Sequence, residues 1–146
     1  MSFQQERSAI EGYIAANWGG PLGFDAQAFT PTVGSLLVTI NSGAVLQGSI
    51  GRTANVIYNV GTLVLTYYSE GGKGSAAWRG VAETLTDLLF EKSLTTAGAL
   101  AGSDVFIRFS PPQLGDNRHP YISANYAQTP FHVTNLTAPF IRYEQR

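Results

Sequence analysis

The residues from Thr62 to Phe90, TLVLTYYSEGGKGSAAWRGVAETLTDLLF, constrain the fold more than any other stretch of the chain. Leu63, Leu65 and Tyr67 alternate with Thr62, Val64 and Thr66, the period of two expected of a strand with one well-buried face. The period then changes. Trp78, Val81, Ala82, Leu85, Leu88 and Leu89 recur at helical spacing and form one apolar stripe. Only Glu70-Gly71-Gly72-Lys73-Gly74-Ser75 separates the two patterns, so the helix must fold back across the sheet. A glycine-rich turn opening a helix can cradle phosphate. A phosphate loop, however, places Ser or Thr directly after its lysine. Here Gly74 stands between Lys73 and Ser75, and no leading glycine lies at the required offset. The spacing predicts a flexible strand-to-helix turn with Ser75 as N-cap.

The remaining elements follow from periodicity and punctuation. Phe3 to Asn17 reads as a helix with Phe3, Ile10, Tyr13 and Ile14 on its apolar face, capped by Ser2 with Gln5 at the capping-box position. Gly19-Gly20-Pro21 ends it. Residues 18–34 form a long irregular segment rich in Gly, Pro and aromatics, of the kind that is functional or docked on a partner. Ser35 to Ile40 is a short strand, and 41–52 is turn-rich. Thr53–Tyr58 and Gly61–Tyr68 form one long strand or two colinear pieces, with Gly61 marking a bulge or bend. Ser93 to Ala101 is a loop. Asp104 to Ser110 is a strand stopped by Pro111-Pro112, and Gly115 to Pro120 is a polar turn. Tyr121 to Asn135 is a strand or hairpin broken near Pro130, followed by a C-terminal tail over 136–146. The whole predicts a single α+β domain over 1–146, a mixed or antiparallel sheet with two helices on one face.

Composition narrows the function classes. The 146 residues include only 13% charged, about half the usual quarter for soluble proteins. A net charge of −1 provides no basic field for nucleic acid. The absence of cysteine removes disulfides and thiolate metal sites. The N-terminus lacks a signal-peptide pattern, and no apolar run approaches the roughly 20 residues of a membrane span. A chain made in a cytoplasm and not exported by the usual route is expected.

Chemistry-bearing residues are sparse. His119 lies in a turn between Arg118 and Pro120, and His132 in a strand between Phe131 and Val133. Neither has carboxylates nearby at metal-ligand spacing, and no Gly-x-Ser-x-Gly elbow is present. Glu83 and Asp87, four apart on the helix, share a face away from the apolar stripe. They are solvated, or they meet Arg79, Arg52 or Arg108 of a neighbouring subunit. The basic residues are scattered, and no metal or cofactor is expected.

The pattern as a whole resembles the tail terminator (tail completion) proteins of long-tailed bacteriophages. The resemblance runs from the N-terminal helix through Phe29-Thr30-Pro31 and SLLVTI, then the strand ending Thr66-Tyr67-Tyr68. It continues through Glu70-Gly71-Gly72-Lys73-Gly74-Ser75, the helix AAWRGVAETLTDLLF, the strand DVFIRFSPP and the final YISANYAQTPFHVT. The sequence departs from the family pattern where Pro130 and His132 replace a Val-rich run and in its longer C-terminal tail. The resemblance implies a structural virion protein and no enzyme. Such a protein forms a ring, commonly a hexamer, that caps the tail tube and stops its polymerisation. It also offers a surface to the head–tail connector or stopper protein. Genomic DNA would pass through the channel without sequence-specific contact, with no membrane involved. Assembly would occur in the host cytoplasm, and the protein would end in the tail or neck of the virion. Glu70, Lys73, Arg79, Glu83, Asp87, Arg52 and Arg108 are the candidate subunit or ring contacts. Two alternatives stand beside this reading: another neck or head-completion ring, and a small α+β ligand-binding domain or enzyme with a pocket between helices and sheet near His132 and Tyr126.

Overall fold

The computed structural model describes residues 3–47 and 56–145. Two helices, α1 (Phe3–Asn17) and α2 (Ala76–Leu89), accompany seven strands. These are β1 (Leu22–Phe24), β2 (Leu36–Gln47), β3 (Val56–Glu70), β4 (Ser93–Leu94), β5 (Ile107–Phe109), β6 (Tyr121–Gln128) and β7 (Phe131–Gln145). They form one mixed sheet in the order β1-β2-β3-β7-β5-β4, with β6 also pairing β7. β1 lies parallel to β2, and the other described pairs are antiparallel. The expected α+β class with a mixed sheet and two helices is what the chain adopts.

Register decides which side chains meet the helices. β3 and β7 pair along their whole lengths, Leu65 opposite Leu136, Leu63 opposite Ala138 and Gly61 opposite Phe140. Leu36 and Val38 of β2 and Ile107 and Phe109 of β5 extend the same face. Onto it α2 lays Leu85 and Leu89, and α1 lays Ala9, Ile10, Tyr13 and Ile14. Full burial of each large aliphatic side chain contributes about 1.5–3 kcal/mol. The stripe Trp78, Ala82, Leu85 and Leu89 repeats every three or four residues, which is why α2 lies flat on the sheet. Gly98 lets the loop after β4 press against α1: its φ is +82°, and an added Cβ would lie 2.7 Å from the Ala9 carbonyl oxygen.

Several sequence expectations are corrected. Of the tail over 136–146, residues through Gln145 are instead the end of β7, a central strand bonded to β3 and β5, and Arg146 lies outside the described residues. Of the turn-rich segment 41–52, residues through Gln47 continue β2, and the rest lies outside the described residues, as do Ser2 and residues 53–55. The irregular segment 18–34 contributes β1 to the sheet edge. The predicted loop after α2 holds β4, and the polar turn is a 3-10 segment over Pro112–Asn117. Gly61 is neither bulge nor bend. The extra residue lies in β2, between Ser42 and Val45, opposite Val60. Gly61 keeps regular register because the Phe140 ring occupies the space its Cβ would take, with Cζ 2.6 Å from that point.

Pro139 stands inside β7, where proline ordinarily removes a ladder hydrogen bond. It faces Thr62 on the β3 side. On the other side, β6 reaches only Thr137 and β5 begins at Phe140, so the proline falls at the break between two flanking strands.

The helices are tied to each other by Tyr13, whose hydroxyl donates to the Leu88 carbonyl oxygen at 2.7 Å. Burial raises the Tyr13 phenol above its ordinary value. A phenol raised on folding contributes stability that is full below the ordinary phenol range and is lost as pH rises through the folded value. Tyr13→Phe should cost about 1 kcal/mol at neutral pH through the lost hydrogen bond. It should also make the decline of melting temperature between about pH 9 and 11 shallower than in the parent. Parallel slopes in thermal melts over that range would show that Tyr13 ionisation does not load the fold.

Candidate functional site

The helix-facing side of the sheet ends in a buried polar network that the sequence reading missed. Arg142 of β7 is fully buried; its Nε donates to Glu6 Oε1 and its Nη1 to Glu144 Oε2, both at 3.3 Å. Glu6 on α1 also accepts from Ser42 Oγ at 2.9 Å, and Asn59 Nδ2 donates to Glu144 at 3.3 Å. The Arg142 guanidinium lies 5.2 Å from the Phe3 ring centroid, in cation–π range. Arg142 Nη2 has no partner among the described residues. The signal for this network was present in the sequence. Glu6 stands three residues after Phe3 and four before Ile10, on the apolar stripe of α1, where an unpaired carboxylate would not belong. One turn on, burial raises the Glu11 carboxyl above its ordinary value, while Arg7, 3.0 Å away, works against that rise.

The candidate contact residues divide between regions. Lys73 Nζ lies 3.9 Å from Glu70 Oε1, an exposed pair at the turn before α2. Arg79 lies over the Trp78 ring at 4.6 Å. Glu83 and Asp87 are exposed along the same helix. Arg108 is not part of this group. It projects from β5 beside Ile141, on the opposite side of the sheet, with Nη1 3.4 Å from Ser93 Oγ. Arg52 lies outside the described residues. Ser75 occupies the N-cap position of α2 but makes no side-chain cap bond. The turn is held instead by the Gly71 N–H, which donates to the Pro130 carbonyl oxygen at 3.0 Å.

A pocket shared by His132 and Tyr126 is not formed. His132 pairs with Ser69 and Ala127 and points to the helix side, where its ring stacks on Trp78 at 5.2 Å. Tyr126 pairs with Val133 and points to the other side. Adjacent residues of one strand project to opposite faces, so the sheet itself separates the two groups. His119 stacks on Phe90 at 4.4 Å. Among the described residues, no group of three or more His, Asp or Glu is placed to hold a metal ion. Nor, among them, is any helix long and apolar enough to cross a membrane.

The sheet face away from the helices has a different character. At one end Phe29, Tyr68 and Phe131 cover it, their ring centroids 5.7 Å apart in sequence. Burial raises the Tyr68 phenol there, with Tyr126 adding to the rise. At the other end the 3-10 segment reaches Tyr143, which accepts from Gln113 Nε2 at 3.3 Å. Between them lies a half-buried stripe of Thr39, Thr62, Val64, Thr66, Asn135 and Thr137, without a charge. Its hydroxyls are partly committed: Thr66 donates to Asn135 Oδ1 at 2.9 Å and Thr137 to Ser123 Oγ at 2.8 Å. A cavity of about 400 Å³ opens beside it, lined by Thr62, Thr137, Pro139, Tyr121, His119 and Asp116.

No protein-family model matches this chain, and no curated protein matches its sequence. Solved structures do match it. One of them, known by a reference label without a functional word, superposes with a TM-score of 0.60 at 15% identity. The match covers 97% of this chain and 96% of that chain. At that identity the likeness concerns the fold alone, and it extends from end to end of both chains.

Proposed function

We propose that this chain is a structural ring protein of a phage neck, a tail terminator that caps the tail tube and presents a surface to the head-side connector. The observation that carries this reading is the uncharged stripe on the open sheet face. Two helices cover one side of the sheet, whereas the middle of the other side is left to Thr, Val and Asn side chains. Charge depletion is characteristic of the centre of protein–protein interfaces. The low charged fraction of the whole chain and the resemblance of its sequence pattern point the same way. Function on this reading is contact: the ring fits the last tube ring on one side and the connector on the other. DNA passes through the channel without being read.

Purified protein imaged by negative stain should give symmetric rings with a central channel. Added to polymerising tail-tube protein, it should bind tube ends and shorten the tubes. Protein that stays monomeric at high concentration, and leaves tube length unchanged, would refute the proposal. Rings that bind portal-side proteins but ignore tubes would move the assignment to another ring of the neck.

A further inference from the structure

Two long strand edges are left uncovered by any described strand, each interrupted once by a register shift, between Ser42 and Val45 in β2 and between Ile122 and Ala124 in β6. The first is the outer rim of β6, which pairs only with β7 among the described strands and is exposed along nearly its whole length. The second is β2 beyond the reach of β1. β1 covers Leu36–Val38, and the Asp25 carboxylate accepts from the Ile40 N–H at 3.4 Å. From Asn41 to Gln47 no described strand lies on that rim. Natural sheets guard such edges with charge, proline, bulges, short length or cover. β1 is three residues long, and β4 is two residues long with a bridge from Leu94 to Leu100. By contrast, β6 (YISANYAQ) and residues 41–47 (NSGAVLQ) carry neither a charged residue nor a proline.

We propose that copies of this chain join edge to edge, β6 of one pairing antiparallel with residues 41–47 of the next; the choice of a second copy as occupant rests on the ring reading above. Three successive antiparallel pairings separate β2 from β6, so the two rims run in opposite directions. A lateral step from copy to copy preserves that relation. Pairing β6 with β6 across a two-fold axis would leave both β2 rims bare, whereas the heterologous joint covers every long edge.

The positions of the rims define the geometry. β6 lies beside β7 residues 131–137, whereas 41–47 lies across β3 from β7 residues 139–144. The offset is about seven residues, or ~24 Å along the strands, over a four-strand width of ~19 Å. Copies therefore step along the strand direction, and the strands incline roughly 50° to the ring axis, near the inclination at which sheets close on themselves. β5 and β4 lie on the same flank of β7 as β6 but beside residues 140–142, at the end away from that step, and so leave room for the neighbour. In the centred register Asn41 of one copy faces Gln128 of the next, both on the face away from the helices.

The chain has no cysteine, so single reactive sites can be placed freely. Asn41→Cys, Gln128→Cys and the double variant should each be treated with a short bismaleimide, with native mass and circular dichroism recorded before reaction. Both positions are exposed. The expected result is a ladder of covalent multiples from the double variant and no cross-linked species from either single variant. Asn125→Cys, at the middle of β6 and exposed, should be treated in the same way: dimers from it alone would establish two-fold β6 pairing and overturn the proposal. A native oligomer that yields no cross-link from the double variant would also overturn it, while leaving the ring reading standing. A chain that is monomeric with and without tube protein would overturn both.

Discussion

Replacing Glu6 by alanine should lower the unfolding free energy by about 3 kcal/mol, the lower end of the range for breaking a buried ion pair. The cost arises because Arg142 stays behind. Its side chain is fully buried, and without Glu6 it retains Glu144 while losing its bond to α1. Deleting Glu6 alone takes the acceptor from the Arg142 Nε–H and from the Ser42 hydroxyl in a buried site, and each unmade bond there costs about 1–3 kcal/mol. Glu6→Leu combined with Arg142→Met removes both ends of their shared bond, so its cost should fall short of the sum of the two single costs. Urea unfolding followed by tryptophan fluorescence, arranged as a double-mutant cycle, measures the coupling. Additive single effects would show that the pair does not act as a unit.

Phe140→Ala should be the costliest single core truncation, about 3–5 kcal/mol. The ring is fully buried, lies 5.9 Å from Phe109, and fills the space that Gly61 leaves empty on the neighbouring strand. No other side chain can collapse into that volume from the β3 side. In a thermal melt the loss should appear as a drop of roughly 10–15 °C. The reciprocal variant Gly61→Ala should not be rescued by Phe140→Ala, because its Cβ would also lie 2.8 Å from the backbone oxygen of Asn41. Rescue to parental stability would mean that the ring alone dictates glycine there.

What the sequence made legible follows from which forces act locally. The strand–turn–helix unit from Thr62 to Phe90 is governed by periodicity, and it forms as β3 and α2 with the stripe buried as expected. α1 spans the expected residues, though Phe3 is about half exposed and Glu6 takes the buried place on that face. The failures lie where partners distant in the chain decide. Residues 136–146 read as a tail because Pro139, Arg142 and Glu144 break the apolar pattern. Through Gln145 they are a central strand because β3, β5 and Glu6 supply what each needs. β2 runs on past Ile40 despite Asn41, Ser42 and Gly43, because the bulge before Val45 takes up the misfit. Of the candidate contact residues, Glu70, Lys73, Arg79, Glu83 and Asp87 do share one region, since a turn and helix carry them. Arg108 falls on the far face because strand parity, invisible without the register, sends it there.

The position of β7 has a consequence for the timing of assembly. It is the last of the described strands in chain order, yet it sits mid-sheet, and its Arg142 bonds to Glu6, 136 residues earlier in the chain. A nascent chain that stops before β7 lacks the strand that joins β3 to β5 and the Arg142 anchor of α1. β6 is synthesised earlier but pairs only with β7 among the described strands. On the proposed edge-to-edge joint, an unfinished or truncated chain therefore has no rim to offer. On that joint the synthesis of β7 itself would license polymerisation, and copies terminated before it would stay out of the ring without any separate proofreading step.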